Sequence, residues 1–196
     1  FPSHLNLVKT NSYFQIACLD QTLGVPVVVF SHGITGSRHL HQALFEHLSS
    51  QGYLVAAIDH SYDCNLTIFP DGRFADYRSD ITREPDSTAI RKQQLDTRSR
   101  DVIFVLDKLT QIQSGEIKSM LNGKINLRKI AVGGHSYGGA TAILSANRDY
   151  RIDACFILDG WMNPVPNSII ETGLRKPFFS VGRPEWKDSD YPDNYT

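Results

Sequence analysis

The sequence predicts an α/β fold with a mostly parallel central sheet and helices on both faces. Short apolar runs at 25–30, 53–58, 129–133 and 154–158 alternate with longer stretches of helical period. The inner runs lack the polar–apolar alternation of a sheet with one wet face, so both faces are expected to be covered. The third run leads into Gly134-His135-Ser136-Tyr137-Gly138 and then a small-residue stretch, the pattern of strand, sharp turn and helix.

Length and composition bound the rest. The 196 residues suit one domain spanning 1–196, long enough for a sizeable core. Hydrophobic content of 41% and charged content of 21% fit a globular chain. With a net charge of −1, nothing suggests a nucleic-acid partner, which would need a basic patch. No apolar run approaches the roughly 18 residues of a membrane span. Cys18, Cys64 and Cys155 show no CxxC spacing, so they form neither a disulfide framework nor a zinc site, and a single disulfide stays open. The chain begins with Phe1 and carries no signal peptide or lipidation motif, so it is expected to be an excised piece of a longer product.

In chain order, 13–18 alternates weakly and predicts an edge strand. The β-branched run at 25–30 predicts a strand buried on both faces, ending in the glycine-bearing loop Ser31-His32-Gly33-Ile34-Thr35-Gly36. Loops at the carboxyl ends of parallel strands are where ligands bind. His32 is expected to orient this loop through hydrogen bonds rather than to bind a metal. Leu40, Leu44, Phe45 and Leu48 predict a helix over 40–50, closed by Gly52. The next buried strand, 53–58, leads to Asp59-His60-Ser61-Tyr62-Asp63, where His60 and Asp63 read as loop-fixing groups although both types also serve catalysis. Residues 69–86 form an irregular excursion with a turn at Pro70-Asp71-Gly72, suited to lining a cleft. Asp86-Ser87-Thr88 caps a long helix with Leu95, Val102, Leu106 and Leu109 on its core face. Arg91, Lys92, Arg98, Arg100 and Asp101 read as its solvated face. A strand at 154–158 and a last strand at 177–182 follow, and the tail from 186 to 196 is polar and aromatic.

The chemistry concentrates at the turn. A serine hydroxyl becomes a nucleophile when it is exposed, held in strain and placed beside a base. The turn supplies the first two conditions, with Gly134 and Gly138 letting strand and helix approach closely. Tyr137 starts the helix, so its backbone N–H can face a developing oxyanion, and Ile34 N–H is the candidate second donor. Asp159 stands at the tip of the strand after Ser136, where a triad acid is wanted to orient an imidazole.

Together these residues resemble the α/β-hydrolase fold and, more narrowly, the platelet-activating-factor acetylhydrolase family of lipoprotein-associated phospholipases and their microbial relatives. The match rests on Val28-Val29-Phe30-Ser31-His32-Gly33, Val55-Ala56-Ala57-Ile58-Asp59-His60, Gly134-His135-Ser136-Tyr137-Gly138-Gly139-Ala140-Thr141 and Leu158-Asp159-Gly160-Trp161-Met162. The resemblance implies Ser136 as nucleophile, Asp159 as triad acid and Ile34 and Tyr137 as backbone oxyanion donors. It implies a calcium-independent hydrolase, without metal or organic cofactor, acting on short or oxidised sn-2 acyl esters of phospholipids. Trp161 would sit beside the acyl pocket with His135 near the substrate, and contact with a lipid surface and secretion would follow.

One departure stands out. Triad order in this fold is Ser, acid, His, yet the last histidine of the sequence is His135. The base is therefore expected beyond Thr196, with the domain incomplete at its C-terminal end. Two other readings remain on the residues alone. One is a general carboxylesterase or polyester hydrolase of the same fold; the other is a catalytically silent binding module without a base.

Overall fold

The computed structural model describes residues 7, 9–18, 22–80 and 87–183. Its centre is a five-stranded sheet in the order β2-β1-β5-β6-β7, every neighbouring pair parallel. The strands are β1 Val25–Ser31, β2 Leu54–Ile58, β5 Ile125–His135, β6 Ala154–Leu158 and β7 Phe178–Val181. A small antiparallel hairpin, β3 Leu66–Ile68 with β4 Phe74–Asp76, is built around the turn expected at Pro70-Asp71-Gly72. The helices are α1 Gln42–Ser50, α2 Ser87–Ser114, α3 Tyr137–Arg148 and α4 Asn167–Thr172.

Both faces of the sheet are covered because alternate residues of its middle strands are apolar in both directions. Val27 and Val29 of β1 join Ile130 and Val132 of β5, and α2 and α3 close this layer with Val102, Leu106, Leu109, Ala142 and Ala146. On the opposite face Phe30 meets Phe45 of α1, ring centroids 5.1 Å apart, and His41 at 4.8 Å. Burial is weaker toward the sides. β2 is largely half-buried, and in β6 only Cys155 and Ile157 are buried, so the fully buried strands expected there are realised only in part. No disulfide forms among Cys18, Cys64 and Cys155, so the pairing left open by the sequence is not made.

The chain runs from β1 outward to β2, and α2 then returns it to the other side of β1, where β5 pairs. The strand order reverses between β1 and β5, the crevice position at which open α/β sheets bind ligands. Ser31 pairs in register with Gly134, so the loop after β1 and the turn after β5 emerge side by side.

Several expectations are corrected. Residues 13–18 form no strand; Gln15 has φ 53°, which breaks the extended backbone, and the neighbouring Asn11 and Ser12 bond the Glu46 carboxylate instead of a ladder. The helix at 40–50 starts at Gln42, leaving Leu40 exposed. The largest correction concerns α2. Leu95, Val102, Leu106 and Leu109 are buried as expected, but so are Arg91 and Arg98, at 7% and 1% exposure. Arg98 lies three residues after Leu95 and four before Val102, so helical geometry puts it in the core stripe. The cap at Asp86 and the tail from 186 to 196 lie outside the described residues.

Candidate active site

β5 ends and α3 begins at Ser136, which adopts φ 53° and ψ −119°. Such a backbone costs a non-glycine residue on the order of 1–3 kcal/mol and persists only where its surroundings over-determine it. Here they do. Ser136 N–H donates to Leu158 O at 3.0 Å, and Ser136 O accepts from Gly139 N–H at 2.9 Å and Trp161 N–H at 3.0 Å. Two glycines make room for the bend. A Cβ on Gly134 would collide with the Gly138 carbonyl, and one on Gly138 would collide with the Ser31 carbonyl.

Leu158 and Trp161 flank Asp159, so their bonds to Ser136 bracket the carboxylate. Asp159 has φ 50°, and its N–H donates to Val181 O at 2.6 Å. Its carboxylate accepts from Arg183 N–H at 3.3 Å, with Arg183 Nε 3.6 Å away. Ser136 and Asp159 therefore stand at adjacent strand ends on one hydrogen-bonded backbone frame.

The loop after β1 closes the other side. A Cβ on Gly33 would stand 3.2 Å from Ser136 Cβ, so the glycine backbone borders the serine. Ile34, Trp161 and Met162 each pack against the buried cluster that contains Tyr137. Tyr137 is the first residue of α3, and the first N–H groups of a helix have no intrahelical acceptor. Trp161 lies against Tyr137, ring centroids 5.5 Å apart. His135 lies beside the loop after β1, its Nδ1 3.3 Å from a Cβ built on Gly33, and its ring is 5.2 Å from that of His41. Burial and then the neighbouring His135 lower the His41 pKa.

Beneath this surface lies a buried polar network whose extent the sequence does not reveal. His32 and His60 hold the loops as expected. His32 Nδ1 bonds Gly33 O at 2.5 Å, and its Nε2 accepts from His60 N–H at 3.2 Å. His60 bridges Ser31 Oγ at 2.9 Å through Nε2 and Asp101 Oδ2 at 2.7 Å through Nδ1. With both ring nitrogens committed, His60 does not serve Ser136. Burial, and then Arg98, pushes His60 well below the usual imidazole range and His32 to about 3. Both rings are thus neutral near pH 7, which assigns the Nδ1 protons to Gly33 O and the Asp101 carboxylate. Burial raises Asp101 to about 6.

Arg98 completes the network. Its Nε donates to Asp63 Oδ2, and its Nη1 donates to His32 O at 2.6 Å. A buried charge must be paired and its remaining donors satisfied, and both conditions hold. The usable signal in the sequence was the position of Arg98 within the apolar spacing of α2. Its partners, Asp63 and the loop at 32–33, are too far away in sequence for any local pattern to show them.

Among the described residues, His32, Asp59 and Cys64 form one group with metal-ligand atoms within 4.8 Å of one another. All three are already engaged. His32 uses both nitrogens, Asp59 accepts from Arg38 N–H at 2.7 Å, and Cys64 Sγ contacts Thr67 Oγ1 at 2.9 Å.

A doubly covered parallel sheet with a serine on a strand-to-helix elbow at the switch point defines an α/β-hydrolase. Comparison with solved structures agrees: a ferulic acid esterase from Streptomyces cinnamoneus superposes with a TM-score of 0.68 at 32% identity, covering 90% of this chain and 49% of that one. The family model described as platelet-activating factor acetylhydrolase, isoform II, matches residues 5–191, and the chain belongs to that family. Similar proteins include the platelet-activating factor acetylhydrolase of Gallus gallus, 28% identical over 186 residues, covering 80% of this chain and 43% of the relative. That of Cavia porcellus is 31% identical over 172 residues, covering 80% and 39%. The chain spans about two fifths of the length of these curated relatives.

Proposed function

We propose that the intact protein is a serine esterase that removes short or oxidised acyl groups from the sn-2 position of phospholipids through an acyl-enzyme on Ser136. The observation that supports this reading most is the bracketing of Asp159 by the two Ser136 backbone bonds, which hold serine and carboxylate in one frame. The names of the related acetylhydrolases point to the substrate class.

In this reading Ser136 Oγ attacks the ester carbonyl and a histidine oriented by Asp159 takes its proton. The N–H groups of Ile34 and Tyr137 hold the tetrahedral oxyanion, and losing one such donor costs on the order of 10²–10³ in rate. The C–O bond to the leaving alcohol breaks, the histidine protonates that alcohol, and water then cleaves the acyl-enzyme. Trp161, against Tyr137, and His135, beside the loop after β1, shape the entry of the acyl group. The substrate reaches the site from a lipid surface.

The test replaces Ser136 with Ala in the intact protein and follows acetate release from platelet-activating factor and from p-nitrophenyl acetate. Both activities should fall to background. Retained hydrolysis by a folded S136A variant would overturn the assignment.

A second reading keeps the machinery and changes the substrate to simple, non-lipid carboxylic esters. The likeness to the ferulic acid esterase favours it. A series of phospholipid and soluble esters of increasing acyl length separates the two, since turnover confined to soluble esters would select the second.

A further inference from the structure

We propose that Arg98 is the positioning residue of the oxyanion hole, holding both of its donor-bearing residues with one guanidinium. The inference rests on the reading of Ser136, Ile34 and Tyr137 given above. It goes beyond it by assigning a role to a charged side chain remote from the elbow in sequence.

Arg98 is the largest fully buried side chain among the described residues. Its guanidinium grips two consecutive carbonyls of the loop after β1: His32 O from Nη1 at 2.6 Å and Gly33 O from Nη2 at 3.3 Å. Gly33 O also accepts from Gly36 N–H at 3.1 Å and from His32 Nδ1. The peptide between Gly33 and Ile34 is planar and trans, so its C=O and N–H point in opposite directions. Anchoring Gly33 O on the Arg98 side therefore turns Ile34 N–H away from Arg98. A Cβ built on Gly33 would stand 3.2 Å from Ser136 Cβ, so the loop that carries Ile34 N–H lies beside the elbow.

The same guanidinium reaches the other donor. Its carbon lies 4.6 Å from the centroid of the Tyr137 ring, and Tyr137 OH donates to the Arg91 carbonyl of α2. The residue whose backbone N–H is the second donor thus has its ring pinned against α2 by Arg98 and by its own hydroxyl. Asp63 takes Arg98 Nε, and its backbone carbonyl accepts Thr35 N–H at 3.3 Å, which adds a second hold on the loop. Asp63 also neutralises Arg98, so the effect on the reaction is geometric. A planar, forked donor set is what this arrangement requires, and a lysine ammonium does not reproduce it.

The experiment compares wild type, Arg98→Lys and Asp63→Asn in the intact protein. Each is assayed on p-nitrophenyl acetate and tested for inhibition by an alkyl trifluoromethyl ketone, whose tetrahedral adduct places an oxyanion in the hole. For Arg98→Lys, kcat is expected to fall about 10²-fold, as for loss of one oxyanion donor, with KM within about twofold. The ketone should weaken in proportion to kcat/KM. Asp63→Asn should show the same pattern at smaller size, and it carries the test should Arg98→Lys fail to fold. A folded variant with unchanged kcat, or with lowered kcat but undiminished ketone affinity, overturns the proposal. Ser136→Ala run alongside separates the failures: if it keeps activity, the underlying esterase reading has failed instead.

Discussion

The backbone N–H of Trp161 donates to the carbonyl oxygen of Ser136 at 3.0 Å. With the bond from Ser136 N–H to Leu158 O, it closes a frame in which Asp159 is the residue held at a fixed place beside the elbow. The frame is made of backbone groups, so the Asp159 side chain can be changed without dismantling it. Asp159→Asn is expected to lower kcat by on the order of 10³–10⁴, the cost of misorienting the base, while the melting temperature stays close to wild type. Steady-state kinetics and a thermal melt check this, and a folded variant retaining a tenth of the activity would remove Asp159 as the acid.

The elbow tolerates no side chain at Gly138. Alanine is the better helix former by about 1 kcal/mol, yet here its Cβ would meet the Ser31 backbone carbonyl, which cannot swing aside. Gly138→Ala should therefore abolish soluble folded protein. Gly72 has φ +83° but nothing within 4 Å of a built Cβ, so Gly72→Ala should cost only about 1–2 kcal/mol. Expression yield and urea unfolding distinguish the two.

Packing on α2 should be just as position-dependent. Leu106 is fully buried between α2 and the sheet, and Leu106→Ala is expected to cost about 2–5 kcal/mol. Phe104, on the outer face of the same helix, is 59% exposed, and Phe104→Ala should cost less than about 1 kcal/mol. Urea midpoints at constant slope report both.

Stability should fall on mild acidification. Burial first, then Arg98 and His60, hold His32 at about 3, against an ordinary value of 6.5. Between these values the unfolded chain binds a proton that the folded one refuses, so stability is lost as pH falls from 6.5 toward 3. His32 alone contributes on the order of 5 kcal/mol across that window, and His60 acts in the same direction. Asp101 opposes them: raised from 3.8 to about 6, it is protonated first in the folded state and adds stability on acidification between those values. Its side chain is 40% exposed, so solvent screens this contribution. The urea midpoint is expected to be flat above pH 7 and to drop steadily below 6.5, with a smaller drop in His32→Gln. A wild-type midpoint unchanged from pH 7 to 5 would contradict the buried-imidazole account.

Periodicity and turn chemistry made much of the molecule legible. The β-branched run of β1, the apolar spacing of Leu95, Val102, Leu106 and Leu109, and the glycines around Ser136 are local patterns that act over a few residues. Where alternation alone was available, as at 13–18, it misled, because a strand also needs a free sheet edge within reach and an unbroken extended backbone. The hairpin β3-β4 was hidden for a related reason: its strands are three residues each, too short to show a period.

Local pattern was enough for the α/β class, the strand-turn-helix at Ser136 and the carboxylate at the tip of the following strand, since each depends on neighbours along the chain. The place of Arg98 came instead from packing between distant segments. As letters it belonged with Arg91, Lys92 and Arg100 on a charged face. In the fold it is buried against Asp63, the loop after β1 and the ring of Tyr137. A charge is stable in the core only when partners surround it, and those partners come from three separate segments that only folding brings together.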